Sequence, residues 1–326
     1  MKTKLIALLA TSLTTMSMVN AQIQVDENLP EYKPVPGISG NLNSVGSDSM
    51  NNMMTLWAEG FLRMYPNVQV EIEGKGSGTA PPAMIAGTAA FGPMSREMRG
   101  RELDAFENAN GYPITELPTS IDMLAVYVNK DNPIEGLSLP QVDAIFSSTR
   151  RGGLDDAINR WGEAGMTGAW ANRSISIYGR NSASGTYGFF KENALFGGDF
   201  RDEVKEQPGS SSVVQGVASE INGIGYSGIG YRTPDVRAIA LAREHGDDPV
   251  PAEAEFAYSG EYPLARFLYV YVNHRPGTEL DPLRREFIKY MFSKQGQMDV
   301  VRDGYLPVDA NVARRALQSV GIEPGF

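Results

Sequence analysis

Ile121-Asp122-Met123-Leu124-Ala125-Val126-Tyr127-Val128-Asn129 is a nearly unbroken apolar run, and Phe267-Leu268-Tyr269-Val270-Tyr271-Val272-Asn273 resembles it far downstream. Such short runs, rich in β-branched and aromatic residues, read as strands buried on both faces. Both end in Val-Asn, and two such strands predict a pair of crossings between two lobes. On that reading residues 22–124 with 266–326 form lobe I, built from both chain ends, and residues 125–265 form an inserted lobe II. The length agrees, because about 305 mature residues exceed the usual size of one core.

Working outward, Leu42, Ser44 and Gly46 sit in a short strand-like segment. Met50, Met54, Leu56, Trp57, Phe61, Leu62 and Tyr65 then recur at helical spacing until Pro66. Val68, Val70 and Ile72 alternate as a strand, Pro81-Pro82 opens a short helix through Gly87, and a further helix is predicted from Glu97 to Asn108. This β-α-β-α order implies an α/β protein with a mostly parallel sheet covered by helices. Strand candidates in lobe II are Ile175 to Tyr178 and Val236 to Ala240. After Pro282 the chain is helical, and it ends in a second helix from about Asp309. Residues 22–38 hold three prolines and read as an extended leader. In such folds ligands sit in the interlobe cleft, at helix N-termini beyond the carboxyl ends of strands.

Met1-Lys2-Thr3-Lys4 followed by Leu5-Ile6-Ala7-Leu8-Leu9-Ala10 pairs a basic start with a short apolar run, and Val19-Asn20-Ala21 supplies small residues for a signal peptidase. Residues 1–21 therefore read as an export signal cleaved near Ala21, too short in its apolar part to span a bilayer. The chain has no cysteine, which excludes a disulfide framework, thiolate chemistry and a lipid-anchored N-terminal cysteine. Net charge is −10, falling to −12 once Lys2 and Lys4 leave with the signal. Nucleic acid and anionic membranes are poor partners for such a chain. An anion ligand would have to be bound against the mean field, by local dipoles and an arginine.

Four segments share glycine, small hydroxyl residues and a place near a predicted helix start: Gly46-Ser47-Asp48-Ser49, Gly76-Ser77-Gly78-Thr79, Gly92-Pro93-Met94-Ser95-Arg96 and Arg180-Asn181-Ser182-Ala183-Ser184-Gly185-Thr186. Helix N-termini carry unpaired N–H groups and a partial positive charge, so an oxyanion fits there. Hydroxyls add donors that need no counterion, and a guanidinium can fork onto two anion oxygens. Each segment alone is explained by ordinary N-capping. The four together favour an anion site.

At these residues the chain resembles the phosphate-binding proteins of PstS-type ABC importers, over about residues 40 to 310. Val45 to Ser49, Glu73 to Pro82, Phe91 to Arg96 and Arg180 to Thr186 carry the resemblance. It implies a two-lobed periplasmic-binding-protein fold, each lobe a mixed sheet flanked by helices, with hinge closure at two crossings. It implies a monomeric, non-enzymatic periplasmic protein, without cofactor or metal, that binds inorganic phosphate and delivers it to an inner-membrane permease. The ligand residues that match the family are Ser47, Ser49, Ser77, Arg180, Ser184, Gly185 and Thr186, and the loops themselves add Ser95 and Asp48 as candidates. One position departs: better-known members carry Asp where this chain has Ser95. That carboxylate accepts the proton that distinguishes phosphate from sulfate. Asp48 is the candidate substitute, because an ionised carboxylate only accepts and so favours a protonated oxyanion. Its bland alternative is a helix N-cap.

Competing readings are another tetrahedral oxyanion such as sulfate or molybdate, a secreted phosphatase on the same fold, and an adhesive role of the outer surface. No G-x-S-x-G or H-E-x-x-H pattern occurs, and His245 and His274 are the only histidines. Gly223-Ile224-Gly225-Tyr226-Ser227-Gly228 matches a dinucleotide fingerprint, but helix-like residues precede it and Pro234 follows, so it reads as a glycine-rich turn and strand. Trp57, Trp161 and Trp170 read as core residues.

Overall fold

The structure, a computed structural model, describes residues 23–326. The export-signal reading of residues 1–21 lies outside the described residues. From its start the chain alternates strands and helices: β1 (Gly40–Val45), α1 (Asn51–Leu62), β2 (Val68–Glu73), α2 (Ala80–Ile85), β3 (Phe91–Met94) and α3 (Gly100–Asn110). Met53, Met54, Trp57 and Phe61 form the buried stripe of α1, which stops short of Pro66 as the proline requires. The predicted helix from Glu97 begins later, at Gly100, because Arg96 is drawn out into a two-pronged bond with Glu102 and the Arg99 N–H is capped by the same carboxylate.

β4 (Thr115–Asn129) is one strand of 15 residues, and β11 (Ala265–Val272) runs antiparallel beside it. Between them come β5 (Gly136–Ser138), α4 (Leu139–Phe146), β6 (Ser176–Arg180), α5 (Gly185–Asn193), β7 (Lys205–Gln207), α6 (Ser210–Ser219), β8 (Gly223–Gly228), β9 (Val236–Ala238), β10 (Ala240–Ala242) and α7 (Ala254–Ser259). The rejected dinucleotide match is thus the fully buried strand β8. Its glycines let α6 pack close: a Cβ on Gly225 would stand 2.9 Å from both Val213 and Val217. The single strand expected at Val236 to Ala240 is instead two short ones, β9 on β4 and β10 on β5. The C-terminal stretch holds three helices rather than two: α8 (Pro282–Met291), α9 (Lys294–Arg302) and, after β12 (Leu306–Pro307), α10 (Ala310–Ser319), whose N-cap is Asp309.

The strand order is β2-β1-β3-β11-β4-β8-β6-β7, with β9 and β12 also on β4. The outer strands are parallel, as β-α-β order predicts, but every pairing made by β4 and β11 is antiparallel. β4 changes neighbours in mid-strand: Met123 faces Ala265 of β11, while Leu124 faces Gly228 of β8. The cores change with it. Leu117 belongs to the cluster with Trp57, Phe61 and Phe287, whereas Leu124, Val126 and Val128 belong to the one with Phe146, Trp161 and Phe190. Helices cover the opposite faces too, with Met84, Phe106 and Tyr271 on one side and Tyr127, Val213 and Val217 on the other. Trp57 and Trp161 are fully buried, and Trp170 is partly buried under Arg173.

The leader is more than a spacer. Leu29, Tyr32 and Ile38 are buried in the first core, and the Tyr32 hydroxyl bonds Tyr65 and donates to Glu286.

Candidate functional site

β1 ends at Val45, and after Gly46 the chain makes a tight turn, Asp48–Met50, that runs into α1. The N–H of Ser47 donates to Pro93 O at 2.8 Å, and its side chain makes no capping bond. Its hydroxyl is buried and has no hydrogen-bond partner among the described residues. Ser49 is buried at the head of α1.

The second loop turns at Gly76, whose φ of +120° and ψ of 150° is a conformation essentially reserved for glycine. Ser77 follows at 0 % exposure, and Gly78 N–H donates to Ala183 O at 3.0 Å, tying this loop to the fourth. The third segment departs from expectation: Gly92-Pro93-Met94 is strand β3, and Ser95 leaves its carboxyl end five residues before α3 begins. Ser95 is placed by its N–H, which donates to Ser77 Oγ at 3.0 Å. In the fourth, Ser184 caps α5 by accepting from Tyr187 N–H, and Gly185 and Thr186 form the first turn. Ser184 is thus the one member of the four loops for which side-chain capping of its own helix holds.

These loops meet in a single chain of buried hydroxyls. Ser77 Oγ lies 3.3 Å from Ser95 Oγ, Ser95 Oγ 3.5 Å from Thr186 Oγ1, Thr186 Oγ1 2.8 Å from Ser49 Oγ, and Ser49 Oγ 3.5 Å from Ser210 Oγ. Gly185 is where the packing is tightest: a Cβ there would stand 2.2 Å from Ser77 Oγ and 2.6 Å from Ser95 Oγ. Ser47 and Ser184 border the chain without bonding into it.

Arg180, the last residue of β6, is 1 % exposed. Its Nη1 donates to Ser210 Oγ at 2.8 Å and lies 3.1 Å from Asp48 Oδ2, and its Nη2 donates to Pro208 O. Its Nε is buried with no partner among the described residues. Burial pulls the guanidinium below its ordinary range, and the Asp48 charge opposes that pull. Asp48 also accepts from Ser210 N–H at 2.8 Å. It therefore caps the N-terminus of α6 and not that of its own helix.

Three participants were not anticipated. Ser210 opens α6 after Gly209, and Gly209-Ser210-Ser211-Ser212 carries the same glycine-and-hydroxyl signature as the other loops. Arg266 and Asp122 form a second buried ion pair beside Thr186, at 2.8 Å. A site expected to hold one arginine thus holds two, each facing a carboxylate. Donors concentrate while net charge stays near zero, and the N-termini of α1, α5 and α6 face the same hydroxyls. Such a set can replace the hydration of a tetrahedral oxyanion.

Two sheet halves sharing one long strand, with hydroxyl-rich loops closing on each other between them, define a solute-binding protein. In agreement, residues 33–295 match the family model of the PBP superfamily domain. The phosphate-binding protein PstS of Pseudomonas aeruginosa is 52% identical over 319 residues, covering 98% of this chain and 99% of that protein. PstS of Bacillus subtilis is 27% identical, covering 91% of each. The substrate-binding protein assigned to a phosphate ABC transporter of Clostridium perfringens, solved with bound phosphate, superposes with a TM-score of 0.70 at 25% identity, covering 82% of this chain and all of that one. The chain belongs to the PstS family of phosphate-binding proteins of the PBP superfamily.

Proposed function

We propose that this protein binds inorganic phosphate in the cleft between two lobes and delivers it to the inner-membrane permease of an ABC importer. The lobes are residues 22–124 with 266–326 and residues 125–265, a division supported by the change of partners between Met123 and Leu124. The observation that carries the reading is the buried hydroxyl chain with two donors left over, Ser47 Oγ and Arg180 Nε. Buried polar groups without partners are costly, and an anion bonded there offsets that cost. Ser47, Ser49, Ser77, Ser95, Ser184, Gly185 and Thr186 are the proposed uncharged ligands, Arg180 is the charged one, and Asp48 accepts the ligand's proton. Opening and closing occur by hinge motion at β4 and β11.

The protein acts in the periplasm as a monomer and without catalysis. The cluster's hydroxyls bond one another and two arginines, and among the described residues none bonds a histidine that would activate it. Calorimetric titration of the dialysed protein with phosphate, sulfate and arsenate at neutral pH tests the reading. One-to-one phosphate binding that sulfate does not match is expected; equal or tighter sulfate binding would transfer the site to another oxyanion, and no binding by any of the three would remove the function.

A further inference from the structure

Arg266 stands on β11 directly opposite Asp122 of β4 in the antiparallel register. Its exposure is 6 %, that of Asp122 0 %. The guanidinium donates four bonds: Nε and Nη2 to Asp122 Oδ2 at 3.0 and 2.8 Å, Nη1 to Ser95 O at 2.7 Å, and Nη2 to Thr186 Oγ1 at 2.9 Å. Its Cζ also lies 5.1 Å from the ring centre of Phe189 on α5. Asp122 is held in turn by Ile229 N–H at 3.0 Å. On the proposed lobe division, one side chain at the hinge grips Ser95 of lobe I and Thr186 and Phe189 of lobe II.

We propose that Arg266 is a positioning residue for the anion: it latches the closed form and orients the Thr186 hydroxyl as a donor. A guanidinium cannot accept a hydrogen bond, whereas a hydroxyl rotates to donate or accept as its surroundings dictate. Thr186 Oγ1 must therefore accept from Arg266, and its own hydrogen points into the cluster, toward Ser49 Oγ at 2.8 Å or toward a ligand oxygen. A donor set in place before the anion arrives needs no reorganisation on binding. Asp122 cancels the charge, so Arg266 contributes direction and closure where Arg180 contributes the attracting charge.

The inference rests on the phosphate reading and has its own kinetic signature. The bonds to Thr186 and Phe189 exist only while the lobes are together, so losing them raises the dissociation rate and leaves association nearly unchanged. Arg266→Met alone would strand a buried carboxylate and risk misfolding. The informative protein is therefore Asp122→Asn/Arg266→Met, which removes both charges and keeps an acceptor for Ile229 N–H. Phosphate dissociation by stopped flow is expected to quicken roughly tenfold or more, the worth of one charge-assisted bond. Arg266→Lys should recover part of the loss. A folded double variant that releases phosphate at the parent rate would overturn the latch. In the unaltered protein, the Arg266 guanidinium protons should exchange with water more slowly when phosphate is added; the same exchange rate with and without phosphate would also overturn it. The parent titration separates the two claims, because a parent that binds no phosphate fails the functional reading itself, whereas a binding parent with an indifferent variant fails the latch alone.

Discussion

Asp48 Oδ2 lies 3.1 Å from Arg180 Nη1, joining the turn that opens α1 to the end of β6 across the cleft. The same oxygen caps α6 through Ser210 N–H, so one carboxylate fixes both the guanidinium and a helix N-terminus. On the proposed reading, Arg180 attracts the anion while the neighbouring Asp48 carboxylate accepts its proton, which would separate a protonated oxyanion from a fully ionised one.

Asp48→Asn should narrow the preference for phosphate over sulfate by about tenfold or more, because an amide can donate to a ligand oxygen that carries no proton. Competition calorimetry at neutral pH measures this ratio. A preference unchanged from the parent removes Asp48 as the proton acceptor.

For Arg180 a neutral replacement is the cleaner test. Charge reversal at a 1 % exposed position would set a second carboxylate against Asp48 and confuse folding with binding. Arg180→Met leaves Asp48 bonded to Ser210 N–H and should lower phosphate affinity by about a hundredfold or more, as truncating a buried charge at a binding site does. A melting curve run beside the titration separates lost binding from lost structure, and parent-like affinity would sink the assignment.

Gly185→Ala is expected to prop the lobes apart. The added Cβ meets Ser77 Oγ at 2.2 Å and Ser95 Oγ at 2.6 Å, contacts that opening relieves without disturbing either core. Phosphate should then fail to shrink the radius of gyration in small-angle scattering, while the ligand-free melting temperature stays close to the parent's. Normal contraction with phosphate would show that the loops yield at Gly185.

Asp303 gives a pH-dependent prediction. Burial first, and then the nearby charge of Asp122, raise it from 3.8 to about 7, and its Oδ2 has no hydrogen-bond partner among the described residues. An acid whose folded pKa is raised binds its proton more tightly in the native state. Its contribution is therefore most favourable below pH 3.8 and declines as pH rises to about 7. Asp303→Asn should thus stabilise the protein by roughly 2–4 kcal/mol at pH 8 and by almost nothing at pH 4. Urea denaturation at the two pH values decides it, and equal shifts at both would refute the account.

Much of this architecture is legible in the sequence. The two apolar runs are the long paired strands, Pro66 and the Pro81-Pro82 pair mark a helix end and a helix start, and the four hydroxyl loops converge. What escaped depends on pairing, which a linear reading does not contain. Asp122 and Arg266 are buried charges in strands built largely from apolar residues, and only the register that sets them opposite each other turns two anomalies into an ion pair. The helix α9 leaves only a faint apolar periodicity in the sequence, because its buried face uses Gly296, Gln297 and Asp299 along with Val300. Ser95 reads as the start of a helix, yet the chain between β3 and α3 stays irregular because Arg96 pairs with Glu102, a constraint that propensity does not express.

The shared strand β4 also constrains how this chain can change. Leu124, Val126 and Val128 point into one core while Ala125 and Tyr127 point into the layer under α6. Side chains alternate along a strand, so one residue inserted or deleted near Met123 would swap those two sets and drive Tyr127 into a space shaped for Leu or Val. Surface loops in either half can grow or shrink, but the length of β4 is frozen, and substitutions that reshape one half must leave the count of residues through the crossing untouched.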